Sequence, residues 1–276
     1  MRFGLKTNQH QLTWRDLLSR VGYAEQHGFD GAWLFDHLKA MDGDPVGPCL
    51  ESWTLLASLA ASTSRIRLGV MMTGVMFRHP SLLAAQAVTS DHVSAGRLEL
   101  GIGASSFEQE HRELGIEFPG ARERSERLEE GVQLMRLLMT QDAATFDGRH
   151  YQLDHATYRP RPVQGPHPPI WIGAGGERLT IPIAARRADV WHSFDPFEVL
   201  PRKIRVFEEH AEKAGRDPSS IVRAANLSIS ETWGEVTDRA EALRELGFTY
   251  LVVAWPAEGE RRLDGFVQSV MPRFES

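Results

Sequence analysis

The chain has 276 residues, of which 42% are hydrophobic and 25% charged, so it can bury a large core and is not globally disordered. Its net charge of −6 argues against a protein whose main partner is nucleic acid or an anionic membrane. A single cysteine excludes both an internal disulfide and a CxxC zinc site. The sequence contains no apolar run long enough to cross a membrane and no signal-peptide core, so we expect a cytoplasmic globular protein.

Short β-prone runs alternate with longer amphipathic segments along almost the whole chain. The predicted strands are Arg2–Thr7, Gly31–Phe35, Arg67–Thr73, Leu98–Ile102, Ile170–Gly173, Val190–Ser193, Val222–Ser228 and Tyr250–Val253. The predicted helices are Trp14–Gln26, Ser52–Ser62, Ser81–Val93, Glu123–Met139, Leu179–Arg187, Pro196–Ala214, Asp238–Leu246 and Asp264–Met271. Thr13 is placed to cap the first helix, and Gly28, Gly215 and Gly247 each suit a left-handed residue after a helix.

Eight strands in strict alternation with eight helices predict an α/β protein with a parallel sheet, closed into a (β/α)8 TIM barrel. The segment from Thr140 to Pro169 interrupts this alternation, because an Asp147-Gly148 turn between β-prone residues is followed by a proline-rich stretch. We interpret it as a hairpin and an extended connection inserted between the fourth helix and the fifth strand. A linker between two domains is the alternative, but it would leave two unclosed half-barrels. We therefore predict one domain over residues 1–276.

The active site of such a barrel is built at the carboxyl ends of the strands, so the polar residues there are the first candidates. Asp36 and His37 follow the second strand, where a histidine can exchange a proton and a neighbouring aspartate can fix its tautomer. The alternative is that Asp36 caps the next loop and that His37 is a surface residue. Glu110 and His111 follow the fourth strand, and we interpret them as a solvated charged turn, with a contribution to the site as the alternative.

Three other strand ends predict contacts with a ligand. The apolar end of the third strand, Met71 to Thr73, can form a wall for a planar ring, although methionine more often fills a core. The small residues from Gly101 to Ser106 allow a ligand close to the backbone but lack the third glycine of a dinucleotide fingerprint. The glycine-rich segment from Ala174 to Arg178 precedes a helix and predicts a phosphate-binding loop, with an ordinary tight turn as the alternative. The sequence has neither HExxH nor GxSxG, so we expect no catalytic metal and no serine hydrolase.

Four motifs in this order resemble the luciferase-like oxidoreductase superfamily. They are GFDGAWLFDH at 28–37, SRIRLGVMMTGVMFRHP at 64–80, SAGRLELGIGA at 94–104 and PPIWIGAGGE at 168–177. The similarity covers nearly the whole chain, and the set is specific although no single motif is. DPVGPCLESWTLLASLA at 44–60 adds a resemblance to the branch that uses coenzyme F420, a 5-deazaflavin. The resemblance implies a (β/α)8 barrel, a homodimer, and hydride transfer between F420 and a small organic substrate.

The resemblance also implies roles for the residues that match the family motifs. Asp36 and His37 match an Asp-His pair beside the deazaflavin ring, with His37 as the proton-transfer residue. Met71 and Met72 match a non-prolyl cis peptide that lies against the ring. The residues expected to bind the cofactor are Met71, Met72, Thr73, Gly103, Ala104, Ser105, Ser106, Gln109, Ala174, Gly175, Gly176, Glu177 and Arg178.

Two positions depart from the family pattern. Ser106 stands where many members have a tryptophan and the sugar-phosphate dehydrogenases have a catalytic glutamate, and Met41 stands where those dehydrogenases have a tryptophan. We therefore do not expect a sugar-phosphate substrate. The alternatives to an F420-dependent enzyme are an FMN-dependent monooxygenase served by a flavin reductase, and a non-catalytic flavin or deazaflavin carrier. A basic surface for the charged tail of F420 could come from Arg78, Arg159, Arg161 and Arg178.

Overall fold

The computed structural model describes residues 1–41, 43–44 and 46–274. Pro45 of the motif at 44–60 and the last two residues of the predicted domain lie outside the described residues. The strands are β1 (Arg2–Lys6), β2 (Gly31–Leu34), β3 (Arg67–Val70), β4 (Thr73–Gly74), β5 (Leu98–Gly103), β6 (Ala144–Asp147), β7 (Gln152–Ala156), β8 (Ile170–Gly173), β9 (Val190–Ser193), β10 (Val222–Asn226) and β11 (Phe248–Ala254).

All of these strands except β6 and β7 form one parallel sheet, in the order β3-β2-β1-β11-β10-β9-β8-β5-β4. The sheet closes on itself because β3 also pairs with β5, through Leu68 opposite Leu98 and Gly69 opposite Glu99. The predicted (β/α)8 barrel is therefore confirmed, with β4 as a short additional strand beside β5.

The α-helices lie between successive strands along the chain. They are α1 (Trp14–Gln26), α2 (Ser52–Ser62), α3 (Pro80–Val93), α4 (Glu108–Glu113), α5 (Ala121–Thr140), α6 (Thr180–Arg187), α7 (Leu200–Lys213), α8 (Trp233–Glu245) and α9 (Glu260–Ser269), with 3₁₀ turns at Phe197–Val199, Pro218–Ser220 and Met271–Phe274. Across the described chain, each helix is too short or too polar to span a membrane.

Local capping explains where several helices begin and end. Thr13 caps α1 as predicted, in a reciprocal capping box with Asp16. The predicted start of α8 is wrong: the helix begins at Trp233 because Thr232 and Glu235 form a second capping box. The short helix α4 was not predicted, since six residues are too few to show a helical period.

Aromatic side chains fill the inside of the barrel below the strand ends. The rings of Trp33 and Trp171 lie 4.5 Å apart between centroids, and Tyr250 packs edge-on against Trp171 at 4.8 Å. Gly69 faces this cluster, and a Cβ at that position would lie 2.4 Å from a Trp33 ring atom. These buried rings close the barrel interior, so a ligand has room only at the mouth.

The third strand was predicted as one continuous strand, Arg67–Thr73, and this is wrong because the structure divides it in two. β3 ends at Val70, the Met71–Met72 peptide bond is cis as the resemblance implied, and β4 begins at Thr73. Gly101 and Gly173 leave room for this bend. A Cβ on Gly101 would lie 2.1 Å from the Val70 carbonyl oxygen, and a Cβ on Gly173 would lie 2.7 Å from Met72 Cγ.

The inserted segment contains the predicted hairpin, in which β6 and β7 pair antiparallel. It packs against α5, because the Glu130 carboxylate accepts hydrogen bonds from the backbone N–H groups of Arg149, at 2.9 Å, and His150, at 2.8 Å. Arg159 and Arg161 both pair with Asp142 at the base of the insertion. These two arginines therefore do not line the cavity at the barrel mouth.

Candidate active site

A cavity of about 510 Å³ opens at the carboxyl end of the barrel, a size suited to a cofactor or a drug-sized ligand. The predicted site residues that line it are Asp36, His37, Met71, Met72, Gly103, Ala104, Ser105 and Ser106. The lining residues that the sequence analysis did not assign to the site are Lys6, Asn8, Phe35, Met41, Gly74, Phe77, Phe107, Glu110, His111, Gly173 and Phe194. Lys6 is the last residue of β1 and Asn8 follows that strand, so the rule that barrel sites lie at strand ends could have found them.

His37 is oriented by Glu110, a residue from helix α4. His37 Nδ1 lies 2.8 Å from Glu110 Oε2, and the other carboxylate oxygen accepts hydrogen bonds from the backbone N–H groups of Leu38 and Lys39. The Glu110 side chain is 0% exposed and that of His37 is 24% exposed. The interpretation of Glu110 and His111 as a solvated turn is therefore wrong, because both are buried.

The protonation of this pair follows from its hydrogen bonds. Burial raises the pKa of Glu110, but the hydrogen bonds from His37, Leu38 and Lys39 outweigh burial and leave that pKa below its ordinary value. An ionised carboxylate can only accept, so Nδ1 of His37 carries a proton. Nε2 of His37 makes no hydrogen bond within the described residues, and it is the nitrogen left to exchange a proton with a ligand.

The Asp36 carboxylate makes no hydrogen bond to the His37 ring among the described residues, and Glu110 accepts from Nδ1 instead, so the prediction that Asp36 fixes the histidine tautomer is wrong. Its buried carboxylate accepts two hydrogen bonds from Arg78, at 2.7 and 3.0 Å, and one from the Gly74 N–H at 2.9 Å. Ser52 of α2 donates to the same carboxylate. Asp36 therefore ties the loop after β2 to β4 and to the segment before α3, and so holds the Met71–Met72 wall of the cavity in place.

Arg78 is buried by this contact and is not a surface cation at the mouth. Burial lowers the pKa of its guanidinium, but the bonds to Asp36 and Glu51 outweigh burial and leave that pKa raised. The guanidinium therefore stays charged and neutralises Asp36.

Three of the residues that line the cavity each have one buried polar atom without a hydrogen-bond partner among the described residues. These atoms are Asn8 Oδ1, Ser105 Oγ and His111 Nδ1. Ser105 has φ +60°, in the left-handed region that favours glycine, which marks a backbone held in place by its surroundings. Burial lowers the pKa of His111, so its ring is neutral at pH 7. Buried polar atoms are normally paired, so this wall suits a planar ligand with polar edges, and the ring of a deazaflavin fits that description.

The predicted phosphate loop lies beside this cavity and not in it. Gly175, Gly176, Glu177 and Arg178 line an open depression of about 360 Å³, together with Leu179, Arg202 and Lys203. Ala174 is buried beneath the loop, where its carbonyl accepts a hydrogen bond from the Trp191 indole at 2.9 Å.

Side chains already occupy part of the loop. The Gly176 N–H donates to Thr180 Oγ1 at 3.0 Å, so it is not free for an anion as expected. Glu177 pairs with Arg202 at 2.8 Å, whereas Arg178 is exposed and has no ion pair within the described chain. Arg178 is therefore the cation best placed to meet an anionic group here.

Two predicted residues are not brought to the cavity. Thr73 Oγ1 accepts a hydrogen bond from the Trp53 indole at 3.1 Å, inside the protein. Gln109 lies on the exposed side of α4 and donates to Glu113 at 2.7 Å. Neither residue lines the cavity.

A family model described as luciferase-like monooxygenase matches residues 1–265. The chain belongs to the luciferase-like monooxygenase family. This luciferase-like protein is 31% identical over 252 residues to an F420-dependent glucose-6-phosphate dehydrogenase of Nakamurella multipartita, which covers 90% of this chain and 72% of that protein. It is 34% identical over 236 residues to the protein of the same name from Nocardia farcinica, which covers 83% of this chain and 69% of that protein.

Solved structures of F420-dependent enzymes share the fold of this luciferase-like protein. An F420-dependent secondary alcohol dehydrogenase in complex with an F420-acetone adduct superposes with a TM-score of 0.89 at 19% identity, over 100% of this chain and 99% of that chain. The F420-dependent tetrahydromethanopterin reductase of Methanopyrus kandleri superposes with a TM-score of 0.85 at 19% identity, over 99% of both chains.

Proposed function

We propose that this protein is an F420-dependent oxidoreductase in which His37 exchanges the proton that accompanies hydride transfer to or from a small organic substrate. The observation that carries the proposal is the set of unpartnered polar atoms on Asn8, Ser105 and His111, which line the same cavity as His37. The F420-dependent relatives support the choice of cofactor. When bound, F420 supplies a ring carbon that accepts or donates a hydride.

The remaining roles follow from where the side chains lie. Met71, Met72 and the residues from Gly103 to Ser106 provide a wall for the cofactor ring, and Asn8 offers an acceptor to a polar edge. The depression from Gly175 to Arg178 would take the phosphate. The other cations of this depression, Arg202 and Lys203, pair with Glu177 and Asp195, so Arg178 is the main electrostatic contact for the anionic part of the cofactor.

His37 accepts or returns the proton that accompanies hydride transfer. In the oxidation of a substrate, Nε2 of His37 would take the proton that the substrate loses, while bound F420 would supply the acceptor for the hydride. Reduction runs the same transfers backwards. The ionised Glu110 carboxylate accepts from Nδ1–H in both directions, which leaves the neutral ring with Nε2 unprotonated and able to take a proton.

We further propose that residues 1–276 act as one domain, in the cytoplasm, as a homodimer. Helix α3 supports an interface, because its apolar side chains Leu82 and Val93 are 54% and 45% exposed. Size-exclusion chromatography with light scattering tests the dimer, and a monomeric mass would contradict it.

The proposed cofactor is tested by titrating the purified protein with oxidised F420 and with FMN, followed by fluorescence. We expect micromolar binding of F420 and weaker binding of FMN. Preference for FMN would favour an oxygen-dependent monooxygenase with a flavin reductase as partner, and binding of neither would overturn the proposal.

The role of His37 is tested with His37→Ala, which should keep cofactor affinity and lose most turnover, by about 10²- to 10⁴-fold. The matched control is His155→Ala, since His155 is 81% exposed on the inserted hairpin. Equal turnover in His37→Ala and wild type would remove His37 from the mechanism.

A further inference from the structure

We infer that the substrate of this site is an uncharged molecule with an apolar group beside its reacting carbon, and not a sugar phosphate. This inference rests on the proposed function, because it takes the cavity of His37 as the place where substrate meets cofactor. Three sets of contacts carry it: the apolar side chains around His37, the charges inside the cavity, and the charges on the rim.

The surroundings of His37 are apolar. The ring of Phe35 lies 5.0 Å from the His37 ring between centroids, and the ring of Phe107 lies 6.1 Å from it at a near-perpendicular angle. Met41 lines the same cavity and is 38% exposed at its entrance. A substrate that brings its reacting carbon to His37 therefore places the neighbouring atoms against hydrocarbon. Sugar hydroxyl groups in that place would lose their water without gaining partners, which costs binding free energy.

The charges inside the cavity do not favour a phosphate. Phosphate sites in proteins commonly use arginine forks and several donors together. Among the described residues that line this cavity, Lys6 is the one lysine or arginine. The carboxylates of Asp36 and Glu110 already take up the donors of Arg78, His37, Leu38 and Lys39, so those donors are not available to a phosphate.

The rim of the mouth is acidic at the ends of β10 and β11. Two further cavities, of about 460 and 480 Å³, lie at the ends of β10 and β11, and Lys6 lines the first of them as well. Glu258 lines one, and Glu231 and Glu235 line the other. None of these three carboxylates has an ion pair within the described residues. Their combined field repels an anion that approaches from this side, and it leaves an uncharged molecule unaffected.

Glucose 6-phosphate, the substrate in the names of relatives that are 31% and 34% identical, is therefore not the substrate we infer for this protein. The cavity suits a neutral molecule, and Arg178, the cation of the neighbouring depression that has no ion pair within the described residues, lies where the cofactor phosphate is assigned.

The test measures binding to the protein without cofactor, by saturation-transfer NMR with cyclohexanol, glucose and glucose 6-phosphate as probes. We expect saturable binding of cyclohexanol that Phe107→Ala weakens by about tenfold, because the variant removes one apolar ring contact. Met41→Ser is the second variant and should act in the same direction. Val163→Ala is the control, since Val163 is 50% exposed on the inserted segment and does not line the cavity, and this variant should bind cyclohexanol as wild type does.

The same probes are then offered to the protein with oxidised F420, and reduction of the cofactor is followed by its visible absorbance. Saturable binding or turnover of glucose 6-phosphate at or above the level of cyclohexanol would overturn the inference, and so would cyclohexanol binding that Phe107→Ala and Met41→Ser leave unchanged. Failure to bind F420 would instead overturn the proposed function, while the binding experiments without cofactor would still decide the substrate class.

Discussion

Replacing Glu110 by glutamine should change the tautomer of His37 while keeping the shape of the site. In the wild type, one carboxylate oxygen accepts from the N–H groups of Leu38 and Lys39, and the other accepts from His37 Nδ1. A glutamine has one oxygen for these two positions. Beside the backbone this oxygen accepts from two donors, the N–H groups of Leu38 and Lys39, whereas beside His37 it would accept from one. The amide NH₂ group would therefore face His37. Nδ1 must then accept, and the ring proton moves to Nε2.

The size of the effect follows from this exchange of roles. A His37 ring with its proton on Nε2 cannot take a proton from the substrate there, so turnover should fall by about 10²- to 10⁴-fold. The three hydrogen bonds of Glu110 are replaced by neutral ones, so the free energy of unfolding should fall by only ~1–3 kcal/mol. Glu110→Ala leaves three donors without an acceptor, so its cost in stability should exceed that of Glu110→Gln.

The assay compares turnover, F420 affinity and the ¹⁵N shifts of the His37 ring. Affinity for F420 should stay near the wild-type value, because Glu110 contacts His37 and the backbone rather than the predicted cofactor wall. Glu113→Gln is the matched control, since Glu113 lies on the same helix and its side chain is 37% exposed. Wild-type turnover in Glu110→Gln, or a ring that keeps its proton on Nδ1, would refute the reasoning.

The other predictions concern the buried ion pair, the bend beside β4 and pH. Arg78→Met leaves a buried carboxylate unpaired, so chemical denaturation should show a loss of ~3–5 kcal/mol, and an unchanged midpoint would contradict this. Gly173→Ala puts a Cβ 2.7 Å from a methionine side chain of the ring wall, so F420 titration should show weaker binding. Gly234→Ala, where a Cβ meets nothing within 4 Å, is its control. Burial, with help from the charge of Lys6, lowers the pKa of His192 to about 3. As the pH drops below about 6.5, the ordinary pKa of histidine, His192 takes up a proton in the unfolded chain but not in the folded one. The free energy of unfolding should therefore decrease as the pH is lowered, by up to ~1.4 kcal/mol per pH unit. His192→Leu should remove this slope, and equal slopes in denaturation measured between pH 7 and about 5 would refute the assignment.

Much of the fold could be predicted because its causes are local. The capping box at Thr13 lies within one turn of α1, and the left-handed conformations of Gly28, Gly215 and Gly247 follow from the ends of single helices. The alternation of strands and helices then leaves a parallel barrel as the closed arrangement. The predicted position of His37 at the mouth of the cavity depends on that architecture alone, and the structure places it there.

The errors fall where a side chain meets a partner far along the chain. Glu110 is 73 residues from His37, and Arg78 is 42 residues from Asp36. The adjacency of Asp36 and His37 suggested that their side chains interact, but adjacency in sequence does not bring two side chains together, and each has its partner elsewhere. Asp36 therefore turns to the buried arginine, and His37 turns to the cavity and to α4.

The sequence by itself determined the order of strands and helices, the closed barrel, and the end of the barrel at which the site lies. Only the tertiary structure decided that Glu110 orients His37, that Asp36 holds the cavity wall, and that Asn8 and Ser105 line the cavity, each with a buried polar atom that has no partner among the described residues. Secondary structure depends on hydrogen bonds and apolar spacing within a few residues, which a sequence displays directly. The partner of a buried charge is whichever donor or opposite charge the folded chain brings to it, and no local pattern records that choice.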